Sequence, residues 1–256
     1  MLKKTDPLIL SIDTTTEVRS VFVGRGAQRL ALLTGDAQRA SHSASLLSEI
    51  DQALHAAQVR LAEVDLFAAI VGPGSFTGVR AGLATIKAFA ATLGRAVVGV
   101  PTLHAIARAA GPSRQTVALE PAGRGEVFAQ TLAVTGEGKV TELDAPRHLS
   151  PAAVIEEVFL RGGEVRWAGR GAYQLADHLR ERARVEGIPW REESQVSPGE
   201  EIPAGGWTLA CRRDVLAECA AALACGSYAT GQEAVGAEGV SAIYVRPSDA
   251  ELKKAC

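Results

Sequence analysis

Val71-Gly72-Pro73-Gly74-Ser75-Phe76-Thr77-Gly78-Val79-Arg80-Ala81-Gly82 is the stretch on which the reading of this chain turns. An apolar run, Leu66 to Val71, precedes it, and an alanine-rich run, Leu83 to Leu93, follows it. The parse is strand, glycine turn, helix. Such a turn has two uses. It can aim free N–H groups and the positive end of the helix dipole at a phosphate, or it can let a helix lie very close to its neighbours.

The phosphate reading makes demands that this sequence does not meet. Gly72-x-Gly74-x-x-x-Gly78 is a near relative of the dinucleotide fingerprint, which calls for an acid near the end of the next strand to hold a ribose. That strand ends Val98-Gly99-Val100-Pro101, with no acid. No Gly-Lys-Ser/Thr follows, so the Walker pattern fails as well. Close packing fits better. Gly78, Ala81, Gly82, Ala84, Thr85 and Ala88 give the helix a face of small side chains suited to near backbone approach. Arg80 and Lys87, seven residues apart, project from one side and edge that face.

Upstream, Leu8 to Asp13, Val18 to Gly24 and Gln28 to Thr34 read as three strands with tight links, an antiparallel meander. A helix from about Ser43 to Ala57 follows, with Ser41 or Ser43 as its N-cap and Leu46, Leu47, Ile50, Ala53, Leu54 and Ala57 as an apolar stripe. Asp65 to Val71 and Ala96 to Val100 are strands reached through crossovers, so they lie parallel in a mixed sheet. A short helix runs from Pro101-Thr102 through Ala110. This order resembles the known ribonuclease-H-like topology and makes residues 1–110 one lobe, and Gly111-Pro112-Ser113 marks the start of a second lobe, 111–256.

In the second lobe, Gln115 to Glu120 is a strand ending in a carboxylate, as Ile9 to Asp13 does. Strands at Gly125 to Val134 and Lys139 to Leu143, a helix at Pro151 to Leu160 and a strand at Glu164 to Ala168 follow, echoing the first lobe as a degenerate duplication. Residues 184–206 read as loop, Leu209 to Ser227 as a long alanine-rich helix, and Val240 to Pro247 as a docked extended tail.

Bulk properties bound the function. The 256 residues are 47% hydrophobic and 22% charged, with net charge −2, which describes a soluble globular chain with no polybasic surface for nucleic acid. No signal-like segment opens it, and no apolar run approaches the roughly 20 residues of a membrane span. Cys211, Cys219, Cys225 and Cys256 form no CxxC pair, so buried reduced thiols and a cytoplasmic location are expected.

Local motifs assemble no active site. Asp13 at a strand end is followed by Thr14-Thr15-Thr16, whereas the actin-like and sugar-kinase ATPases carry Asp-x-Gly-Thr/Ser there. Thr15 puts a side chain where glycine would admit phosphate. His42 has Ser45 and Leu46 at the positions where a second metal ligand would share its face. Gly-x-Ser-x-Gly is absent, because Phe76 stands in the middle of Gly74 to Gly78. The competing class is an enzyme on the same fold, a small ATP-binding phosphotransferase or a metallopeptidase-like protein.

Several of these residues together resemble one family. Ile9-Leu10-Ser11-Ile12-Asp13-Thr14-Thr15-Thr16, His42-Ser43 opening a leucine helix, Gly72 to Gly82, and Val98-Gly99-Val100-Pro101-Thr102-Leu103 are similar to the bacterial TsaB (YeaZ) family, densely over residues 8–110. Arg124 to Phe128 and Tyr244 to Glu251 extend the likeness, while Glu120-Pro121-Ala122-Gly123 departs from the family's usual Asp-Ala-Arg. The resemblance implies an α/β, actin-like (ASKHA) fold of two related lobes. It implies a non-catalytic scaffold and activator in making threonylcarbamoyladenosine beside the anticodon of tRNAs.

In that family the related TsaD holds the metal-binding histidines and the nucleotide, and the ATPase TsaE is a further partner. For this chain the resemblance therefore implies no catalytic residue, metal or cofactor of its own, with a nucleotide at the subunit interface left open. It implies tRNA contact only through the complex and a homodimer when TsaD is absent. It places the TsaD contact on two helices, at Leu46, Ile50 and Leu54 of the first and Gly78, Arg80, Ala81, Gly82, Thr85, Lys87 and Ala88 of the second. The accompanying motif residues are Asp13, His42, Gly72, Pro73, Gly74, Ser75, Phe76 and Thr77.

Overall fold

The computed structural model of the chain describes residues 6–26, 28–36, 42–195, 205–231 and 235–245. It divides into two compact units, Met1–Ala105 with Asp214–Cys256, and Ile106–Arg213. Each is built on one mixed sheet with helices packed on it.

The first unit opens with β1 (Leu8–Asp13), β2 (Val18–Arg25) and β3 (Gln28–Asp36), then α1 (His42–Ala56), β4 (Leu66–Ile70), α2 (Phe76–Leu93) and β5 (Ala96–Val100). The strand order is β3-β2-β1-β4-β5. The first three strands are antiparallel, and β4 and β5 run parallel to β1, as the expected meander and crossovers require. Alternation along β1 turns Leu8, Leu10 and Ile12 into a core with Leu46, Ile50, Leu54, Leu83 and Ile86 from α1 and α2. Each of these side chains contributes about 1.5–3 kcal/mol by leaving water. The stripe Leu46, Ile50 and Leu54 is thus turned onto the chain's own sheet, and none of the three is available to a partner. Leu47 points outward from α1, half-exposed.

α3 (Thr102–Ala110) leads into the second unit: β6 (Ser113–Gly123), β7 (Glu126–Val134), β8 (Val140–Glu142), β9 (Arg147–Leu149), α4 (Pro151–Arg161), β10 (Val165–Ala168), α5 (Arg170–Gln174), α6 (Ala176–Val185), β11 (Trp190–Glu192) and β12 (Trp207–Leu209). Its sheet runs β11-β12-β10-β6-β7-β8. Strands β8-β7-β6-β10-β12 repeat the order and orientations of β3-β2-β1-β4-β5, so the echo of β1 in β6 is a structural duplication. The buried Trp167 and Trp207 rings meet edge to face at 5.1 Å in its core.

Two expectations change in the final third. The helix expected over 209–227 is α7 (Ala217–Thr230), because Trp207–Leu209 is taken as a strand, parallel to β10. A three-residue buried strand carries no periodicity of its own, so the alanine run after it masks it. Nor does α7 belong with the second lobe. It packs on β1, β2, β4 and β5, burying Ala217, Ala220, Ala221 and Ala224 on the sheet face opposite α1 and α2. Its first N–H, on Ala217, donates to Ser20 Oγ of β2 at 3.2 Å. Part of the expected loop 184–206 is also ordered, as the end of α6 and β11.

Cys211 is exposed, while Cys219 and Cys225 are half-buried, so these three are not the fully buried thiols expected. Ser41, the tail beyond Val245 and Cys256 lie outside the described residues, as do the side chains of His42 and Ser43. Among the described residues no helix is long and apolar enough to cross a membrane.

Candidate partner-binding surface

The glycine turn seats α2 against the end of β1. Ser75 is the N-cap, its Oγ accepting from the Gly78 N–H at 3.2 Å. The Ser75 N–H donates to the Thr15 carbonyl at 2.9 Å, and Thr14 Oγ1 donates to the Gly78 carbonyl at 2.7 Å. A Cβ at Gly74 would stand 2.7 Å from the Thr15 oxygen, and one at Gly78 would overlap the Thr14 oxygen outright. At Gly82 a Cβ would run into Thr14 Oγ1. The glycines therefore serve the contact between α2 and the turn after β1. Gly78 and Gly82 are buried against their own chain, which removes both from the expected partner surface.

The same contact closes the turn after β1. Thr14 and Thr15 are buried, and the Ser75 and Gly78 amides are already bonded within the chain. Asp13, fully buried, accepts from the Thr15 N–H at 2.7 Å and Thr15 Oγ1 at 2.8 Å on one oxygen, and from Thr16 Oγ1 at 2.6 Å on the other. Burial pushes its carboxyl above the ordinary range, against the opposing pull of those hydrogen bonds from Thr16 and Thr15. Its role is to close the Thr14-Thr15-Thr16 turn.

The remaining expected residues separate onto two sides of α2. Arg80 and Lys87, expected to edge a partner contact, bond to the chain's own C-terminal segment. Arg80 Nε donates to Tyr244 Oη at 3.3 Å, its guanidinium lies 3.8 Å from the centre of the Phe76 ring, and Lys87 Nζ donates to the Val240 carbonyl at 3.1 Å. Beside them Thr77, Ala84 and Ala88 are exposed, flanked by half-buried Ala81 and Thr85. Thr85 Oγ1 donates to the Ala81 carbonyl at 2.9 Å, so its hydroxyl is satisfied within the helix. This is an exposed stripe of small side chains on a helix held from below. Gly72 and Pro73 are buried beneath it.

Sequence reading missed two supports. Arg19 of β2, a cation buried to 4% exposure, pairs bidentately with Glu49 of α1, with Nε to Oε2 at 2.7 Å, and fixes α1 over the sheet. Its position inside a strand, facing an acid 30 residues on, leaves no local signal. The other is Tyr244, whose place in the tail and in the family likeness gives no sign of its contact with Arg80 and Phe76. Among the described residues no cluster of three or more histidines, cysteines and carboxylates is placed to hold a metal.

Comparison with known proteins agrees with this architecture. Residues 36–165 match the family model described as TsaD: tRNA N6-adenosine threonylcarbamoyltransferase. An uncharacterised protein of Mycobacterium tuberculosis is 34% identical over 202 residues, covering 78% of this chain and 85% of the relative. A Haemophilus influenzae protein named as the tRNA threonylcarbamoyladenosine biosynthesis protein TsaB is 36% identical over 104 residues, 40% of this chain and 42% of the relative. Among solved structures, YeaZ from Pseudomonas aeruginosa superposes with TM-score 0.68 at 25% identity, over 93% of this chain and 99% of that one. The ROK hexokinase of Thermus thermophilus, at TM-score 0.50 and 15% identity over 87% of this chain and 99% of that one, shares the fold alone and supports the actin-like class. With the glycine turn, the doubled sheet order and these likenesses together, the chain belongs to the TsaB (YeaZ) family of tRNA threonylcarbamoyladenosine biosynthesis proteins.

Proposed function

We propose that this chain is the non-catalytic subunit that binds and activates a TsaD-type catalytic protein, which transfers threonylcarbamoyl to the adenosine beside the anticodon of tRNAs. The observation that carries the reading is the outward stripe of α2. Thr77, Ala81, Ala84 and Ala88 offer a second helix close approach, while both sides of α2 are anchored within the chain. Half-exposed Leu47 of α1 adds an apolar contact at the surface.

The non-catalytic assignment is supported by the turn after β1, where buried Thr15 stands at the glycine position of the ATPases' Asp-x-Gly-Thr/Ser and Asp13 is committed to local hydrogen bonds. The subunit then works in the cytoplasm without a cofactor of its own, with a TsaE-type ATPase joining the complex and tRNA reached through TsaD. Without TsaD the same stripe pairs two copies of this chain, since self and partner are structural relatives.

Co-elution with a TsaD-type protein in size-exclusion chromatography, followed by a reconstituted modification assay, tests the proposal. Separate elution would sink it. An enzyme would instead gain thermal stability with ATP, magnesium or zinc, by about 2.7 kcal/mol at a hundredfold excess over Kd.

A further inference from the structure

We infer that the segment from Val235 to Tyr244, which includes a 3-10 turn at Ala237–Gly239, is a strap that holds α2 in the attitude its partner recognises. This deepens the functional reading above and rests on it for the partner. The strap begins on the open edge of the sheet, where Val235 and Val97 of β5 exchange both backbone hydrogen bonds, at 2.9 and 3.1 Å. It ends beside the glycine turn, where the Ile243 N–H donates to the Val71 carbonyl at 2.8 Å.

Between these points it runs along one side of α2. Lys87 Nζ reaches the Val240 carbonyl, and the Tyr244 ring lies 5.5 Å from Phe76, with Arg80 bonded to its hydroxyl. Two glycines make way for it. A Cβ at Gly72 would stand 2.8 Å from the Ile243 oxygen, and one at Gly99 would be caught between Val71 Cγ1 at 2.8 Å and Val240 Cγ1 at 2.9 Å.

A helix resting on a sheet by one apolar face can still roll or slide, because that face is non-directional. Polar anchors at its sides remove this freedom. On one side of α2 the anchor is Thr14 on Gly78, and on the other it is the strap on Arg80 and Lys87. The outward stripe lies between the two. Its orientation therefore depends on a segment more than 140 residues away in the chain, and loosening the strap changes how the stripe is presented without altering the stripe.

The test compares the wild type with Lys87→Met, Tyr244→Ala and the double variant, none of which touches the stripe. Hydrogen exchange of α2 amides reports the strap directly, and dissociation from a TsaD-type protein reports its coupling to binding. The double variant is expected to exchange about tenfold faster in α2 and to leave the complex about tenfold faster, with its circular dichroism unchanged. Lys87→Met keeps the apolar stem and carries the test if Tyr244→Ala folds poorly.

Unchanged exchange in α2 would overturn the strap. Faster exchange with an unchanged off-rate would overturn its link to the partner. A wild type that binds no TsaD-type protein would overturn the functional reading and the coupling with it, while the exchange data would still decide the strap.

Discussion

Replacing Gly78 with alanine puts a methyl group where the Thr14 carbonyl oxygen already is, and within 2.9 Å of its carbonyl carbon. Neither neighbour is the free end of a flexible side chain, so α2 or the turn after β1 must move. Overpacking of this kind costs about 1–3 kcal/mol. The movement also lengthens the Thr14 Oγ1 to Gly78 carbonyl bond and the cap from the Gly78 N–H to Ser75 Oγ. A buried hydrogen bond and a helix cap are each worth about 1 kcal/mol, so the expected loss is about 3–5 kcal/mol.

Urea unfolding followed by circular dichroism measures it, with Gly226→Ala as the control. Gly226 lies inside α7 with open space around its Cβ position, and alanine there should stabilise by about 0.5–1 kcal/mol. A Gly78→Ala protein within about 1 kcal/mol of wild type would refute the view that the glycine turn exists to seat α2 on β1.

Arg19→Met leaves Glu49 without its buried partner and should cost about 3 kcal/mol in the same assay, whereas replacing both with well-packed apolar residues should recover most of that; equal losses would argue against the pair as a unit. Folding favours the neutral form of Asp13, whose native pKa is raised. Its contribution is complete below the unfolded value and is lost as pH rises through the native one. Asp13→Asn should flatten stability against pH above about 4, and parallel pH profiles for the two proteins would contradict this. Ala88→Trp, on the outward stripe, should abolish co-elution with a TsaD-type protein and leave the unfolding midpoint within about 0.5 kcal/mol of wild type; an intact complex would move the partner surface elsewhere. Gly82→Trp cannot serve that purpose, since Gly82 packs on Thr14 inside the chain.

Much of this was legible in the sequence, for physical reasons specific to each element. The meander, the parallel strands and α1 follow from periods of two and of three to four residues, which any half-buried strand or helix must show. Gly72 to Gly82 read as a packing turn because the companions of phosphate chemistry, an acid or a lysine, are missing from the sequence, and Gly74, Gly78 and Gly82 do pack on Thr14 and Thr15. Burial direction was less legible. Leu46, Ile50 and Leu54 form a stripe whether it meets the chain's own sheet or another molecule, and periodicity does not distinguish the two. The β12 strand and the return of α7 to the first unit were invisible because three residues carry no period and an alanine helix is apolar on every side.

The sequence alone determined the doubled α/β architecture, the family and the absence of a recognisable local catalytic motif, because these reside in patterns and spacings along the chain. Only the tertiary structure decided which side of α2 is free. Gly78 and Gly82 look identical in sequence to interface glycines, and Arg80 and Lys87 look like surface charges. Thr14, 64 residues before Gly78, and Val240, 153 residues beyond Lys87, take those sides for the chain itself. Contacts between segments so far apart leave no local signature, and here they leave Thr77, Ala81, Ala84 and Ala88 facing outward.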